Sequence, residues 1–235
     1  MAAGLVIFFK SIGAALLGIA GGFGAVEFYN QMPAKWLTDY GEEPKETLLS
    51  RGVPRIKRNP WAYLFSIILV VCYIKVMMFD VKFFICAAFA LWLLLEMSIC
   101  DIKERIVPDQ LIILLAISGL GFIPFMNSWT DGVLGIIGGF SLMMAMAFLG
   151  KLLYKKVGVG GADIKIMAAV GLIVGFKGVL SIFIMVALIG ALQVVYLTVK
   201  KRIGKETTIA MVPHIAIAFA IYIGFMWNIW DNISI

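Results

Sequence analysis

Between Trp61 and Cys100 only four of forty residues are charged, namely Lys75, Asp80, Lys82 and Glu96. A soluble domain needs charged residues more densely than this to cover its surface, so these forty residues belong in an apolar solvent. Comparable runs recur along the chain, with lengths near the ~20 residues that carry a helix across a hydrocarbon core roughly 30 Å thick. They fall near residues 5–28, 61–79, 83–100, 110–126, 132–153, 163–176, 178–199 and 209–230. The expected fold is an all-α polytopic membrane protein of about eight transmembrane helices, one integral membrane domain over 1–235.

The sixth run is short, with roughly 14 residues or about 21 Å of helix, and needs help from its flanks or local thinning of the bilayer. Merging it with the seventh around Gly175-Phe-Lys-Gly178 would give a single long helix with a lysine in its middle, a less favourable arrangement. The first run has no basic segment before it, carries only Lys10, and lacks a small-residue cleavage site; it is expected to be kept as a span.

Charge distribution tests the count. The loops after the first, third, fifth and seventh runs hold sixteen of the twenty basic residues. These are Lys35, Lys45, Arg51, Arg55, Lys57 and Arg58, then Lys103 and Arg105, then Lys151, Lys155, Lys156 and Lys165, and finally Lys200, Lys201, Arg202 and Lys205. With eight spans all sixteen lie on one face; dropping an internal span scatters them. The basic face is then cytoplasmic, with both termini on the non-cytoplasmic side of the cytoplasmic membrane. The net charge of +6 is accounted for by anionic lipid at that face, so no nucleic-acid partner is expected. The loop at 30–60, with Pro33, Pro44, Pro54 and Pro60, is expected to be cytoplasmic, with one short interfacial helix around 44–49. Cys72, Cys86 and Cys100 form no CxxC pair and read as small buried hydrophobes.

Topology ranks the acids. Asp39, Glu42, Glu43, Glu46 and Glu206 are loop acids, and Asp80, Asp131 and Asp231 lie at the outer face. Asp101, ending the third run, and Asp163, starting the sixth, come from distant sequence to the same depth on the same side. A carboxylate there is costly unless paired or hydrated, which points to function. Two carboxyls that share a proton can hydrolyse a peptide: one draws a proton from water while the other polarises the scissile carbonyl. Gly158, Gly160 and Gly161 allow backbone conformations that other residues resist and, with the small Ala162, leave room for a substrate backbone, and Asp163 near a helix N-terminus is favoured as an anion. Lys165 adds positive potential or reaches to the interface. The run lacks GxxxxGK[ST] and a third glycine of the dinucleotide type, so it is no nucleotide loop.

Gly160-Gly-Ala-Asp163-Ile-Lys165 resembles the GxGD signature of the membrane aspartic peptidases that process type IV prepilins and archaeal preflagellins. Asp101-Ile-Lys-Glu-Arg-Ile-Val-Pro108-Asp109 resembles that family's other catalytic segment, an aspartate followed some seven residues later by Pro-Asn. The segments 21–33, GGFGAVEFYNQMP, and 209–219, IAMVPHIAIAF, are similar to its first-span and last-span segments. The resemblance implies an endopeptidase that removes the short basic leader of prepilin-like or preflagellin-like precursors at the cytoplasmic membrane face, with Asp101 and Asp163 as catalytic pair. Gly160, Gly161, Ala162, Lys165 and Pro108 would support them. It implies no metal and no cofactor for proteolysis. Many bacterial members also N-methylate the new terminus with S-adenosylmethionine, and that activity is left open here. The departures are Ala162 in place of the motif's second glycine, Asp109 in place of Asn, a rewritten first-span segment, and the absence of the first-loop cysteines that bind zinc in many bacterial members.

Glu96 lies on a different face of its helix from Asp101 and about 7.5 Å deeper, where a neutral or hydrogen-bonded side chain is expected. His214 after Pro213 reads as a packed residue, and Gly13, Gly18, Gly21, Gly22, Gly135, Gly138 and Gly139 read as helix contacts. The alternatives to a peptidase are a transporter or channel using Asp101, Asp163 and Glu96 as an ion or proton relay, and a noncatalytic scaffold. A transporter more often shows internal repeats and midplane acids.

Overall fold

The structure, a computed structural model, describes residues 2–49, 53–154, 159–200 and 209–227. Gly158, Arg51, Lys155, Lys156, Lys201, Arg202, Lys205, Glu206 and Asp231, named above, lie outside them. Among the described residues every regular element is helical. The chain divides into two compact units, Met1–Leu111 and Ile112–Ile235.

In the first unit α1 (Ala2–Gln31) lies against α3 (Arg58–Met77), and α4 (Val81–Glu104) packs on both. Small residues bring α1 and α3 together. A Cβ on Gly18 would stand 2.7 Å from the Val70 backbone, and one on Gly22 would collide with the Ser66 backbone. Such closeness gives apolar helices their dispersion contacts where the hydrophobic effect no longer separates protein from lipid. Ser66 Oγ donates to the Ile19 carbonyl at 3.1 Å, Trp92 Nε1 to the Gly21 carbonyl at 3.1 Å, and Tyr73 Oη to the Ala88 carbonyl at 2.8 Å. Gly13 departs from expectation: among the described residues nothing stands within 4 Å of its Cβ position, so no close helix approach requires a glycine there. Cys100 is buried, but Cys72 and Cys86 are only half-buried. On lipid-facing helices a small thiol meets acyl chain as readily as protein.

The loop between α1 and α3 holds a 3-10 turn (Ala34–Leu37) and the single-turn helix α2 (Glu46–Leu49), within the expected 44–49. Polar clasps tie it down. Arg55 donates to the carbonyls of Tyr29 at 3.1 Å, Met32 at 2.7 Å and Leu48 at 3.0 Å, so one guanidinium satisfies carbonyls at the end of α1 and at α2. Asn30 and Ile56 exchange two hydrogen bonds, of 3.0 and 2.9 Å. Arg58 pairs with Glu27 at 2.8 Å and Lys45 with Glu104 at 2.9 Å.

The second unit takes in α6 (Trp129–Tyr154), α7 (Gly161–Val199) and α8 (Val212–Ile221), which runs into a wider helical turn over Tyr222–Met226. Helix α5 (Asp109–Leu120) and a 3-10 turn (Ile123–Phe125) precede α6. Gly135 and Gly139 of α6 lie against the backbone at Gly171 and Met167 of α7, an antiparallel register. Extending that register straight would place Val179 opposite residue 127. Instead Gly138 faces Phe176 and Val179, at 2.8 and 3.4 Å from its Cβ position, so α7 folds back on itself. The fold-back is at Gly175, whose φ of +71° and ψ of −178° are open to glycine and costly for other residues. Asp131 Oδ1 accepts the Phe176 N–H at 3.2 Å and caps the returning half.

Among the described residues five helices are long and apolar enough to cross a membrane: Gly4–Gln31, Arg58–Met77, Val81–Glu104, Trp129–Leu152 and Gly161–Val199. Asp109–Leu120 and Val212–Met226 are shorter apolar helices. The run expected to be continuous over 110–126 stops as a helix at Leu120 and reaches Phe125 only through the 3-10 turn.

Candidate active site

Asp101 sits in the last turn of α4 and is buried, 9% exposed. The helix ends four residues later because Arg105 takes the left-handed conformation, φ 60° and ψ 23°, and donates its N–H to the Asp101 carbonyl at 3.2 Å. The chain then passes through Ile106 and Val107 to the buried Pro108, whose carbonyl accepts the Leu111 N–H at 3.1 Å as α5 starts. Pro108 thus starts the next helix, and Asp109 occupies its first turn.

Asp163 belongs to the second unit, in the first turn of α7, and is half-buried. Its Oδ2 accepts the Gly160 N–H at 3.1 Å, reaching back over the helix start. Gly160 has φ −71° and ψ 151°, ordinary extended backbone, which corrects the expectation that its glycine character serves an unusual conformation. Proximity explains it better: a Cβ there would stand 3.1 Å from Asp163 Oδ2 and push the carboxylate aside. Gly161 is exposed, and among the described residues nothing stands within 4 Å of its Cβ position. Ala162 is half-buried and Lys165 exposed. The structure therefore gathers Gly160, Gly161, Ala162, Asp163 and Lys165 at one helix start, and Asp101 and Pro108 at one helix-to-helix passage of the other unit.

Two further acids of α4 flank Asp101. Glu96 is fully buried, and neither of its carboxyl oxygens has a hydrogen-bond partner among the described residues. One turn to either side of it, Trp92 and Cys100 reach Gly21 of α1 and Met32 just past its end, the Cys100 thiol lying 3.9 Å from the Met32 sulfur. Glu96 thus lies on the face of α4 turned toward α1. Glu104, one turn beyond Asp101, has a side chain only 15% exposed and carries the Lys45 ion pair. The Glu104 carboxylate raises the Lys45 pKa, first by its hydrogen bond and then by its charge. That contribution is present below the ordinary lysine value and lost as pH rises through the raised one, so the pair is intact at neutral pH. Nothing local in the sequence marks it, since the partners are 59 residues apart. His214, in the first turn of α8, is buried as expected. Among the described residues no group of three or more His, Cys, Asp or Glu side chains is placed to hold a metal ion.

Residues 87–195 match the type IV leader peptidase family. Among curated relatives, a prepilin leader peptidase/N-methyltransferase of Aeromonas salmonicida (strain A449) is 28% identical over 149 residues, 61% of this chain and 48% of the relative. Proteins of the same description from Xanthomonas campestris pv. campestris and Bacillus subtilis (strain 168) are 33% identical over 144 residues and 29% identical over 126 residues. These cover 59% and 53% of this chain, and 47% and 49% of the relatives. The chain spans about half the length of the curated relatives it matches. No solved structure gives a significant match.

Proposed function

We propose that the type IV leader peptidase domain of this chain makes it a membrane aspartic endopeptidase that removes the short basic leader of prepilin-like precursors. The observation that carries the reading is that the matched residues 87–195 contain both Asp101 and Asp163, each in the terminal turn of a long apolar helix. In this reading the two carboxyls meet at the cytoplasmic face of the cytoplasmic membrane. The fold-back at Gly175 supports eight spans, since α7 then crosses twice and the basic residues stay on one face.

The chemistry follows from the two settings. Asp163 accepts a backbone N–H at a helix N-terminus, where the unpaired amide groups favour negative charge, and acts as the base that takes a proton from a bound water. The resulting hydroxide adds to the scissile carbonyl. Asp101, buried at a helix C-terminus, holds the shared proton and hydrogen-bonds the carbonyl oxygen, and Asp163 passes the proton taken from water to the amine nitrogen as the C–N bond breaks. Apparent titrations belong to the pair. The open position beside Gly161 is where a substrate backbone approaches.

Cleavage in membranes of a precursor with a short basic leader before an apolar helix tests this. Asp101→Asn and Asp163→Asn are each expected to lower kcat at least ~10³-fold, an amount typical of removing one member of a catalytic set. Asp109→Asn is expected to retain activity. Full cleavage by either of the first two variants, folded and inserted, would overturn the reading. A second activity, methyl transfer to the new N-terminus with S-adenosylmethionine as donor, is supported by the double description of the relatives. Transfer of label from that donor to the cleaved product tests it.

A further inference from the structure

The acid one turn beyond Asp101 carries an inference of its own, which rests on the peptidase reading. Between Lys82 and Asp101 the one charged residue of α4 is the buried Glu96, whereas Asp101, Lys103 and Glu104 cluster in its last turn, so Glu104 lies on the water side of Asp101 by about 4.5 Å along the axis. A substrate whose apolar helix stays in the bilayer must lay its leader on that side. The Glu104 side chain is mostly enclosed, at 15% exposure, and its partner Lys45 is 64% exposed on an irregular stretch ahead of α2. Exposed ion pairs held by a long flexible side chain contribute little net stability, so Lys45 is readily displaced. Of the cations on the same helix end, Lys103 is directed elsewhere, over the Trp61 ring at 6.0 Å.

We propose that Glu104 is the specificity subsite for a basic residue of the leader, and that Lys45 occupies it in the resting protein as an internal stand-in. The ammonium of Lys45 shows which ligand chemistry the carboxylate takes, and substrate binding exchanges one ammonium or guanidinium for another. Residues three apart on a helix have Cβ atoms about 5–6 Å apart, and an extended peptide advances about 3.3 Å per residue. A lysine two to four residues before the cut, with its own side chain to extend, therefore spans from a bond held at Asp101 to Glu104.

The test compares the full-length protein in liposomes on precursors that carry Lys, Gln or Glu two to four residues before the cut, scoring the ratio of kcat/KM values. For the unaltered protein a Lys-over-Gln preference of about tenfold is expected, expressed in KM. Glu104→Gln should bring that ratio toward one, and Glu104→Lys should invert it in favour of the Glu leader. Lys45→Gln should raise the preference severalfold by removing the internal competitor. Equal losses on all leaders in the Glu104 variants, or no change in the ratio with Lys45→Gln, would overturn the subsite while leaving the peptidase standing. Failure of the unaltered protein to cleave any leader would overturn the peptidase reading and this inference with it.

Discussion

The two aspartates are held by different physics. Asp101 ends a helix, is buried, and belongs to a unit whose loop is tied down by long-range polar clasps at Arg55, Asn30 and Arg58. Asp163 begins a helix, is half-buried, and accepts a local hydrogen bond from the Gly160 N–H, while its unit rests on glycine-to-backbone contact between α6 and α7. One setting is a wall and the other a doorway. Aspartates at opposite kinds of helix terminus sit in opposite backbone fields, so they are chemically unequal before any substrate arrives.

That contrast breaks most readily where glycine is indispensable. Gly171→Val would force β-branched bulk into the Gly135 backbone. The expected loss is about 3 kcal/mol or more, seen as a melting temperature lower by roughly 6–12 °C in detergent. An unchanged melting temperature would mean the α6–α7 contact is not what supports Asp163.

Removing the clasp of the first unit is expected to cost less. Arg55→Met leaves three carbonyls without their donor, a loss of about 2 kcal/mol. Hydrogen exchange should quicken at residues 29–32 and 48–56 and stay unchanged in the second unit. Exchange quickening equally in both units would contradict the separate modes of support.

The smallest expected effect sharpens the account of the doorway. Gly160→Ala should shift the Asp163 carboxylate by a few tenths of an ångström and lower kcat about threefold to tenfold without changing stability. An effect on KM alone would assign Gly160 to substrate contact instead.

Much of this was legible in sequence. Runs of apolar residues marked the helices, and the glycines at 18, 21, 22, 135, 138 and 139 marked their contacts. Both aspartates stood out by their place at the ends of those runs. The break near Gly175 was visible as a glycine pair around a lysine, but its cap, Asp131, was not, because the two lie 45 residues apart. The same holds for Arg55, whose carbonyl partners leave no pattern in composition or period, and for Glu104 with Lys45. Gly160 was misread because a glycine before an acid suggests unusual backbone, whereas crowding by the carboxylate is what counts. Gly13 shows the limit of reading small residues as contacts: in a lipid-facing stretch a glycine has no partner to meet.

The central claim is that Asp101 and Asp163 form one pair. It is tested most directly by placing Asp101→Cys and Asp163→Cys together in a chain whose Cys72, Cys86 and Cys100 are replaced by Ala. The protein is then treated in membranes with a thiol crosslinker of about 5 Å reach, with and without a precursor present. Carboxyls that share a proton must come within about 3–5 Å, so the account expects the two peptides joined in high yield by mass spectrometry. No joining under either condition, with both thiols shown to be reactive, would contradict it.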